Sequence, residues 1–285
     1  MIIGVTGFRG RLGSELVKLG CKPLDCDVVS GADIKRAIDV VNPDVIINCA
    51  AKTNVDKCET AEGYDEARVV NFRGATNIRD VFPGYLIHIS TDYVFDCKEG
   101  PYSEDYDELN PINNYGFSKF GAEAGLISPF SFERTMVVRT TGLYGGSSGK
   151  ADFVSAIVKA LTRKEEIKVT DELYGNQTYI PHLAEALIQL TKIRNPVKLL
   201  DKVHIGSTDV ITRYEFALMI ADKFELDKDL IIPCSNKEVP GWIAKRPTYG
   251  GLLTKKAAHM NLSLYTIQEG LNELKNTGWR YYENK

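Results

Sequence analysis

The sequence lacks any apolar run approaching the roughly 20 residues a membrane-spanning helix needs. It also lacks an excess of basic charge. The formal net charge is −3, with no basic tail, which argues against nucleic acid as the main partner. The six cysteines, Cys21, Cys26, Cys49, Cys58, Cys97 and Cys234, form no Cys-x-x-Cys pair and no zinc-like cluster, so small buried or free thiols are expected and no metal. Histidine is scarce: His88, His182, His204 and His259 are all there are, which leaves few partners for a catalytic cysteine. His88 sits inside an apolar strand and reads as a satisfied core residue rather than a base. No charged leader or cleavage site precedes the first strand, so a cytoplasmic protein is expected. There is no internal repeat and no low-complexity linker.

What is present is ordinary globular composition, 44% hydrophobic and 26% charged over 285 residues, enough for one large domain or two modest ones. Strand-like and helix-like segments alternate. Short apolar runs at 2–5, 23–25, 44–48, 85–89, 135–139 and 202–205 read as strands. Helical faces run through Leu12, Leu16, Val17 and Leu19 to Gly20, and through Ile34, Ala37, Ile38 and Val41 to Asn42-Pro43. Longer helical stretches are predicted over 64–81, 153–161 and 182–193. Such alternation implies an α/β fold with a Rossmann-type, doubly wound parallel sheet. Residues 142–149, rich in Gly and Ser, read as a flexible loop. The predicted division is an NAD(P)-binding domain of residues 1–139 plus about 179–206. A smaller, interleaved α/β substrate-binding lobe would take about 140–178 plus 207–285.

Gly7, Gly10 and Gly13 follow the first strand and open a helix. Gly7 permits a sharp turn, Gly10 lets the backbone approach a pyrophosphate, and Gly13 allows close helix–strand packing. The spacing is Gly-x-x-Gly-x-x-Gly, the short-chain variant of a dinucleotide loop. Arg9 and Arg11 can meet a 2′-phosphate and favour NADP(H). Asp25 or Asp27 can bind a ribose 2′-hydroxyl and favour NAD(H). The balance leans slightly to NADP(H), with NAD(H) left open. Asp33 and Ile34, after Ser30, read either as a helix cap or as a contact to adenine. The small residues Asn48-Cys49-Ala50-Ala51 end a strand where a cofactor can pass close to the backbone, with tight core packing as the alternative.

Tyr115 and Lys119 are four apart and share one helix face. A neighbouring ammonium and an oxidised nicotinamide would lower the phenol's pKa and let it pass a proton to a carbonyl as hydride arrives. Lys119 can also reach the nicotinamide ribose, and Thr91 can hold the same carbonyl in line. Asp92 would orient polar substrate groups or cap its turn. A second Tyr-x-x-x-Lys, Tyr281 and Lys285, lies in a polar tail and reads as a surface pair.

These motifs are ordered as in a known family. The segment from Pro43 to Glu59, with Asn48, Ala50, Ala51, Thr53, Val55 and Asp56, is one match. Ser90-Thr91-Asp92-Tyr93-Val94-Phe95 is a second, Tyr115-Gly116 to Lys119 with Glu123 a third, and Arg246-Pro247 a fourth. Over nearly its whole length the chain resembles the extended short-chain dehydrogenases/reductases, and among them the dTDP-4-dehydrorhamnose reductases. The resemblance implies Thr91, Tyr115 and Lys119 as the catalytic trio. It implies a cofactor site of Gly7, Phe8, Arg9, Gly10, Arg11, Leu12, Asp33, Ile34, Ala50, Ala51, Lys52, Thr53, Ser90, Tyr115 and Lys119. A dTDP-linked deoxyhexulose would meet Val55, Asp56, Asp92, Tyr93, Thr141, Asn176 and Arg246. The implied reaction is NAD(P)H-dependent reduction of a 4-keto group to give dTDP-L-rhamnose for polysaccharide biosynthesis, and a homodimer is the implied assembly.

Two departures fall near the sugar nucleotide. The family's Arg-x-Ser/Thr-Trp is Arg139-Thr140-Thr141-Gly142 here, without the Trp. Its Asp-Gln-x-Gly-x-Pro-Thr is 171–178 here, without the Gln and Pro. These leave two alternatives: a reductase of another nucleotide-linked 4-keto sugar, or a non-catalytic NADP-binding regulatory subunit like that of methionine adenosyltransferase. The intact trio disfavours the second.

Overall fold

A computed structural model describes residues 1–127, 134–148, 150–193 and 202–279; the second Tyr-x-x-x-Lys motif lies outside them. Ten strands are described: β1 (Ile3–Thr6), β2 (Lys22–Pro23), β3 (Val45–Asn48), β4 (Tyr85–Thr91), β5 (Thr135–Thr140), β6 (Ile167–Thr170), β7 (Tyr174–Gly175), β8 (Lys202–His204), β9 (Ile211–Thr212) and β10 (Ile231–Cys234). The α-helices are α1 (Arg11–Lys18), α2 (Gly31–Val41), α3 (Ala61–Ala67), α4 (Gly74–Val81), α5 (Asn114–Leu126), α6 (Phe153–Thr162), α7 (Ile180–Thr191), α8 (Arg213–Phe224), α9 (Lys255–His259) and α10 (Ile267–Asn276).

The main sheet has six strands in the order β2-β1-β3-β4-β5-β8, every described pairing parallel. The fold is the expected Rossmann-like α/β fold. Val45, Ile46 and Ile47 are buried, as a strand covered on both faces requires. The order reverses between β1 and β3, so a crevice opens at their carboxyl ends, where Gly7 and Cys49–Ala51 follow.

One core joins β1, β3 and β5 to α1 and α7 through Val5, Leu16, Ile47, Val138, Leu183 and Leu187. A second lies under α6, α8 and α10, with Tyr144, Ile157, Phe216 and Leu271. Ala257 and Leu262, late in the chain, pack into the first core.

Three local expectations are corrected. The stretch read as one helix over 64–81 starts at Ala61, where Thr60 accepts from the Gly63 N–H, and its middle, Arg68–Arg73, is a π-helical segment. The second strand ends at Pro23 rather than reaching 25. The Gly/Ser-rich loop is anchored: Tyr144 is 1% exposed, the Gly145 N–H donates to Asp152 at 2.6 Å, and the Ser147 N–H donates to Glu15 at 3.0 Å. Glycine content signals turns but does not reveal such long-range anchors.

Candidate active site

The glycine loop closes as a turn in which the Gly10 N–H donates to Gly7 O at 2.8 Å. Gly7 has φ +62°, and a Cβ there would stand 2.6 Å from the Ala50 backbone nitrogen, so only glycine fits. A Cβ on Gly13 would stand 2.4 Å from Gly7 O. Helix α1 begins with no side-chain cap, which leaves its first-turn N–H groups for an anion. Gly10, Arg11 and Leu12 line a cleft of about 590 Å³ that continues past Thr91, Tyr115 and Lys119 into the second half of the molecule. The loop therefore fits a dinucleotide pyrophosphate.

Around this loop the predicted residues take distinct positions. The Arg9 guanidinium stacks over Phe8 at 4.4 Å and pairs with Asp25. Arg11 donates to Leu143 O at 2.9 Å. Asp33 donates its backbone N–H to Ser30 Oγ at 3.2 Å, so Ser30 is the cap, while Asp33's carboxylate pairs with Arg36. The side chain of Ile34, 1% exposed, sits in the core with Leu24 and Ile78, so only its backbone can meet a ligand. Ala51, Thr53 and Val55 line the cleft, whereas Lys52 turns its ammonium to Glu66 at 3.3 Å. The Lys52 backbone is held from both sides by Asn71, whose Oδ1 accepts from its N–H at 2.7 Å and whose Nδ2 donates to its carbonyl at 3.0 Å. Asn71 belongs to the π-helical segment and also donates to Ser118 Oγ at 2.8 Å. Nothing in a single sequence marks that widened turn, though such turns cluster at functional sites.

Tyr115 and Lys119 stand on α5, whose N-terminus Asn113 caps by accepting from the Gly116 N–H. Thr91 ends β4 and is hydrogen-bonded to the Tyr115 phenol. Its hydroxyl donates to Asp92 Oδ1 at 3.1 Å. Asp92 is 2% exposed, and burial raises it to about 6 against the hydrogen bonds from Thr141 and Thr91. It therefore lies beneath the pair and holds Thr91. Burial also raises the Tyr115 phenol, helped by Tyr93, whose ring meets it edge-on at 5.5 Å. The expected lowering by a nearby ammonium is not seen, because Lys119 points away, donating to Ile89 O at 2.6 Å beside His88. The phenol is thus protonated and ready to act as an acid. Burial lowers Lys119 to about 8. Ser90 donates to Glu123 at 2.5 Å, and Glu123 pairs with Arg139 through bonds of 2.7 to 3.2 Å, all buried. Cys49 also reaches the cleft, but burial pushes its thiol up to about 12, too high for a nucleophile.

At the far end, the expected substrate residues divide. Asn176 is fully buried, its amide donating to Ser207 O and Leu252 O and accepting from the Leu252 N–H, so it braces the lobe and does not face the cleft. Asp56 accepts from the N–H groups of Ile243 and Ala244 and pairs with Arg246. Arg246, stacked 4.5 Å over Trp242, faces the cleft with Tyr93 and Thr141. Gly142, where the family carries Trp, has φ +59°, and a Cβ there would stand 2.4 Å from Asn176 O. The aromatic walls come instead from Trp242 and Phe153, with Arg213 4.1 Å over the Phe153 ring. Sequence reasoning missed Phe153, Arg213 and Trp242. The one available signal was that Trp242, one of only two tryptophans, lies four residues before Arg246.

The comparisons with known proteins bear on this arrangement. A family model described as RmlD substrate binding domain matches residues 1–278. The chain belongs to this family. It is 32% identical to dTDP-4-dehydrorhamnose reductase of Mycobacterium tuberculosis over 91% of this chain and 87% of that protein. It is 30% identical to dTDP-4-keto-6-deoxy-D-glucose reductase of Streptomyces niveus over 86% of each. The crystal structure of dTDP-4-dehydrorhamnose reductase from Bacillus anthracis, in complex with NADP, superposes with a TM-score of 0.86 at 27% identity, over 97% of this chain and 100% of that one. Among the described residues of this RmlD-family chain, no helix is long and apolar enough to cross a membrane, and no His, Cys, Asp and Glu side chains group as metal ligands.

Proposed function

We propose that this enzyme reduces the 4-keto group of dTDP-4-dehydro-L-rhamnose to give dTDP-L-rhamnose, with Tyr115 as the proton donor. It is an NAD(P)-dependent oxidoreductase of the dTDP-4-dehydrorhamnose reductase type, and its substrate is a nucleotide sugar. The observation that carries the reading is one cleft joining an uncapped helix N-terminus, the Thr91–Tyr115 pair and a cationic, aromatic far end.

Bound NAD(P)H supplies the hydride to the carbonyl carbon. Gly10, Arg11 and Leu12 hold its pyrophosphate, and Ala51, Thr53 and Ser90 flank its path. With substrate bound, the Thr91 hydroxyl would turn from Asp92 to donate to the keto oxygen beside the phenol, and Tyr115 delivers its proton to that oxygen. Arg213 and Arg246 neutralise the sugar nucleotide's diphosphate, and Trp242 and Phe153 offer flat surfaces to its rings. In this reading residues 1–139 with 179–206 hold the cofactor, and 140–178 with 207–285 the sugar nucleotide.

A second reading keeps the chemistry and changes the sugar. Gly142 carries no aromatic side chain where the family has Trp, and the Streptomyces niveus relative is named for a different keto sugar. The test supplies NADPH with either dTDP-4-dehydro-L-rhamnose or dTDP-4-keto-6-deoxy-D-glucose and follows absorbance. Turnover of the first at least about tenfold above the second, or some 1.4 kcal/mol in kcat/KM, is expected. The reverse order overturns the rhamnose assignment, and oxidation of neither overturns the reductase reading.

A further inference from the structure

His88 is fully buried in β4, and both of its ring nitrogens are engaged. Nδ1 lies 3.0 Å from Asn48 Nδ2, and Nε2 lies 3.1 Å from Lys119 Nζ. The Asn48 amide has one orientation that suits its neighbours. The Ala50 N–H and the Thr6 hydroxyl both donate to Asn48 Oδ1, at 3.1 and 2.6 Å. A backbone N–H can only donate, so the amide oxygen faces Ala50 and the NH2 faces His88. His88 Nδ1 must then accept, and a neutral imidazole with a bare Nδ1 carries its proton on Nε2.

That Nε2–H points at Lys119 Nζ. An ammonium has three donors and no acceptor, and would meet the imidazole proton head-on. An amine accepts it through its lone pair and still donates to Ile89 O. We propose that His88 is a positioning residue which, held by Asn48 in the Nε2–H tautomer, favours the neutral amine of Lys119 in the ligand-free enzyme. The inference rests on the reading of Lys119 as catalytic, but the tautomer itself is measurable without substrate.

Burial already lowers Lys119, and the Nε2–H of His88 acts in the same direction. Cys49, after β3, is a protonated thiol, and Tyr115, one turn earlier on α5, is a protonated phenol. Glu123, one turn later, favours the ammonium, but its charge is taken by Arg139 of β5. Burial holds His88 far below the usual imidazole range, so it stays neutral. The hydrogen-bonded chain ends at Thr6, itself fully buried, so it sets the state of Lys119 rather than conducting protons to water. An anionic cofactor arriving beside Nζ favours the ammonium. Lys119 then takes a proton from solvent as the cofactor binds.

The test is 15N NMR of cofactor-free enzyme with labelled histidine, from about pH 8 upward, where Lys119 gives up its proton, on wild type and Asn48→Asp. In wild type His88 should hold its proton on Nε2 throughout. A proton on Nδ1, or an imidazolium, overturns the proposal. In Asn48→Asp the carboxylate accepts from Nδ1–H, so the tautomer should invert. The alkaline limb of kcat/KM should then move up by on the order of one pH unit. An unmoved limb with an inverted tautomer, or a moved limb without inversion, also overturns it. If the variant does not fold, the wild-type spectrum decides alone.

Discussion

Arg9 and Asp25 are joined by two hydrogen bonds, each 3.1 Å, through the two terminal guanidinium nitrogens and both carboxylate oxygens. These are the residues that the sequence sets as rivals, one for a 2′-phosphate and one for a 2′-hydroxyl. In the ligand-free protein they neutralise each other. Both side chains are about 70% exposed, at 72% and 69%, and exposed pairs are weak, so either ligand can part them at little cost. Asp25→Ala should free Arg9 and raise the preference for NADPH over NADH by about tenfold, the value of one charge-assisted hydrogen bond. Arg9→Ala should lower it by a similar factor. Dissociation constants for both cofactors check this, and unchanged ratios in both variants would remove Arg9 from cofactor choice.

Asp92 gives the acid side of the pH profile. Its carboxyl is raised to about 6 by burial, while Thr91 and Thr141 hydrogen-bond its charged form. As pH falls through about 6, Asp92 takes a proton, Thr91 loses a charged acceptor, and kcat/KM should fall. Asp92→Asn still accepts from Thr91 but does not titrate, so its acid limb should flatten. The stability effect has the opposite sign. A carboxyl raised above its unfolded value contributes stability that is complete below about 4 and is lost as pH rises through about 6.

Arg213 lies over Phe153 at the far end of the cleft, and burial lowers its pKa because the charge is poorly solvated there. An anion from the sugar nucleotide relieves that cost. Arg213→Ala should raise KM for the sugar nucleotide by about tenfold or more and leave NADPH binding unchanged. Equal losses for cofactor and sugar would point to a structural role.

Glu123 and Arg139, 2% and 0% exposed, form a bidentate pair that also holds Ser90. Removing one partner strands the other charge inside the protein. Glu123→Ala should cost about 3–5 kcal/mol of stability, read by denaturant unfolding. A loss under about 1 kcal/mol would mean that water reaches the pair.

The sheet was legible because 45–47 and 86–87 are apolar throughout and Gly7 can stand only in a tight turn. The grouping of Tyr115 and Lys119 was legible because four-residue spacing puts them on one helix face, and both line the cleft with Thr91. What stayed hidden depends on contacts between distant parts of the chain. Asn176 looked like a ligand residue, yet its amide is used 76 residues away at Leu252. Tyr144 looked like part of a loose loop, yet it packs under Tyr179 and Phe216. The family's Trp is missing at Gly142, while Trp242 and Phe153 line the cleft from other elements. A periodic pattern reports which face of an element is buried, but not which distant residue covers it.

The central claim is that Tyr115, protonated in its buried site beside Thr91, gives the proton. Tyr115→Phe removes one oxygen and keeps the ring against Tyr93. Single-turnover oxidation of bound NADPH by the keto sugar, with NADPH affinity measured on the same preparations, tests the claim directly. The account predicts a rate at least about a hundredfold lower with NADPH affinity unchanged. A rate within about threefold of wild type, well short of a general acid's contribution, would place the proton donor elsewhere.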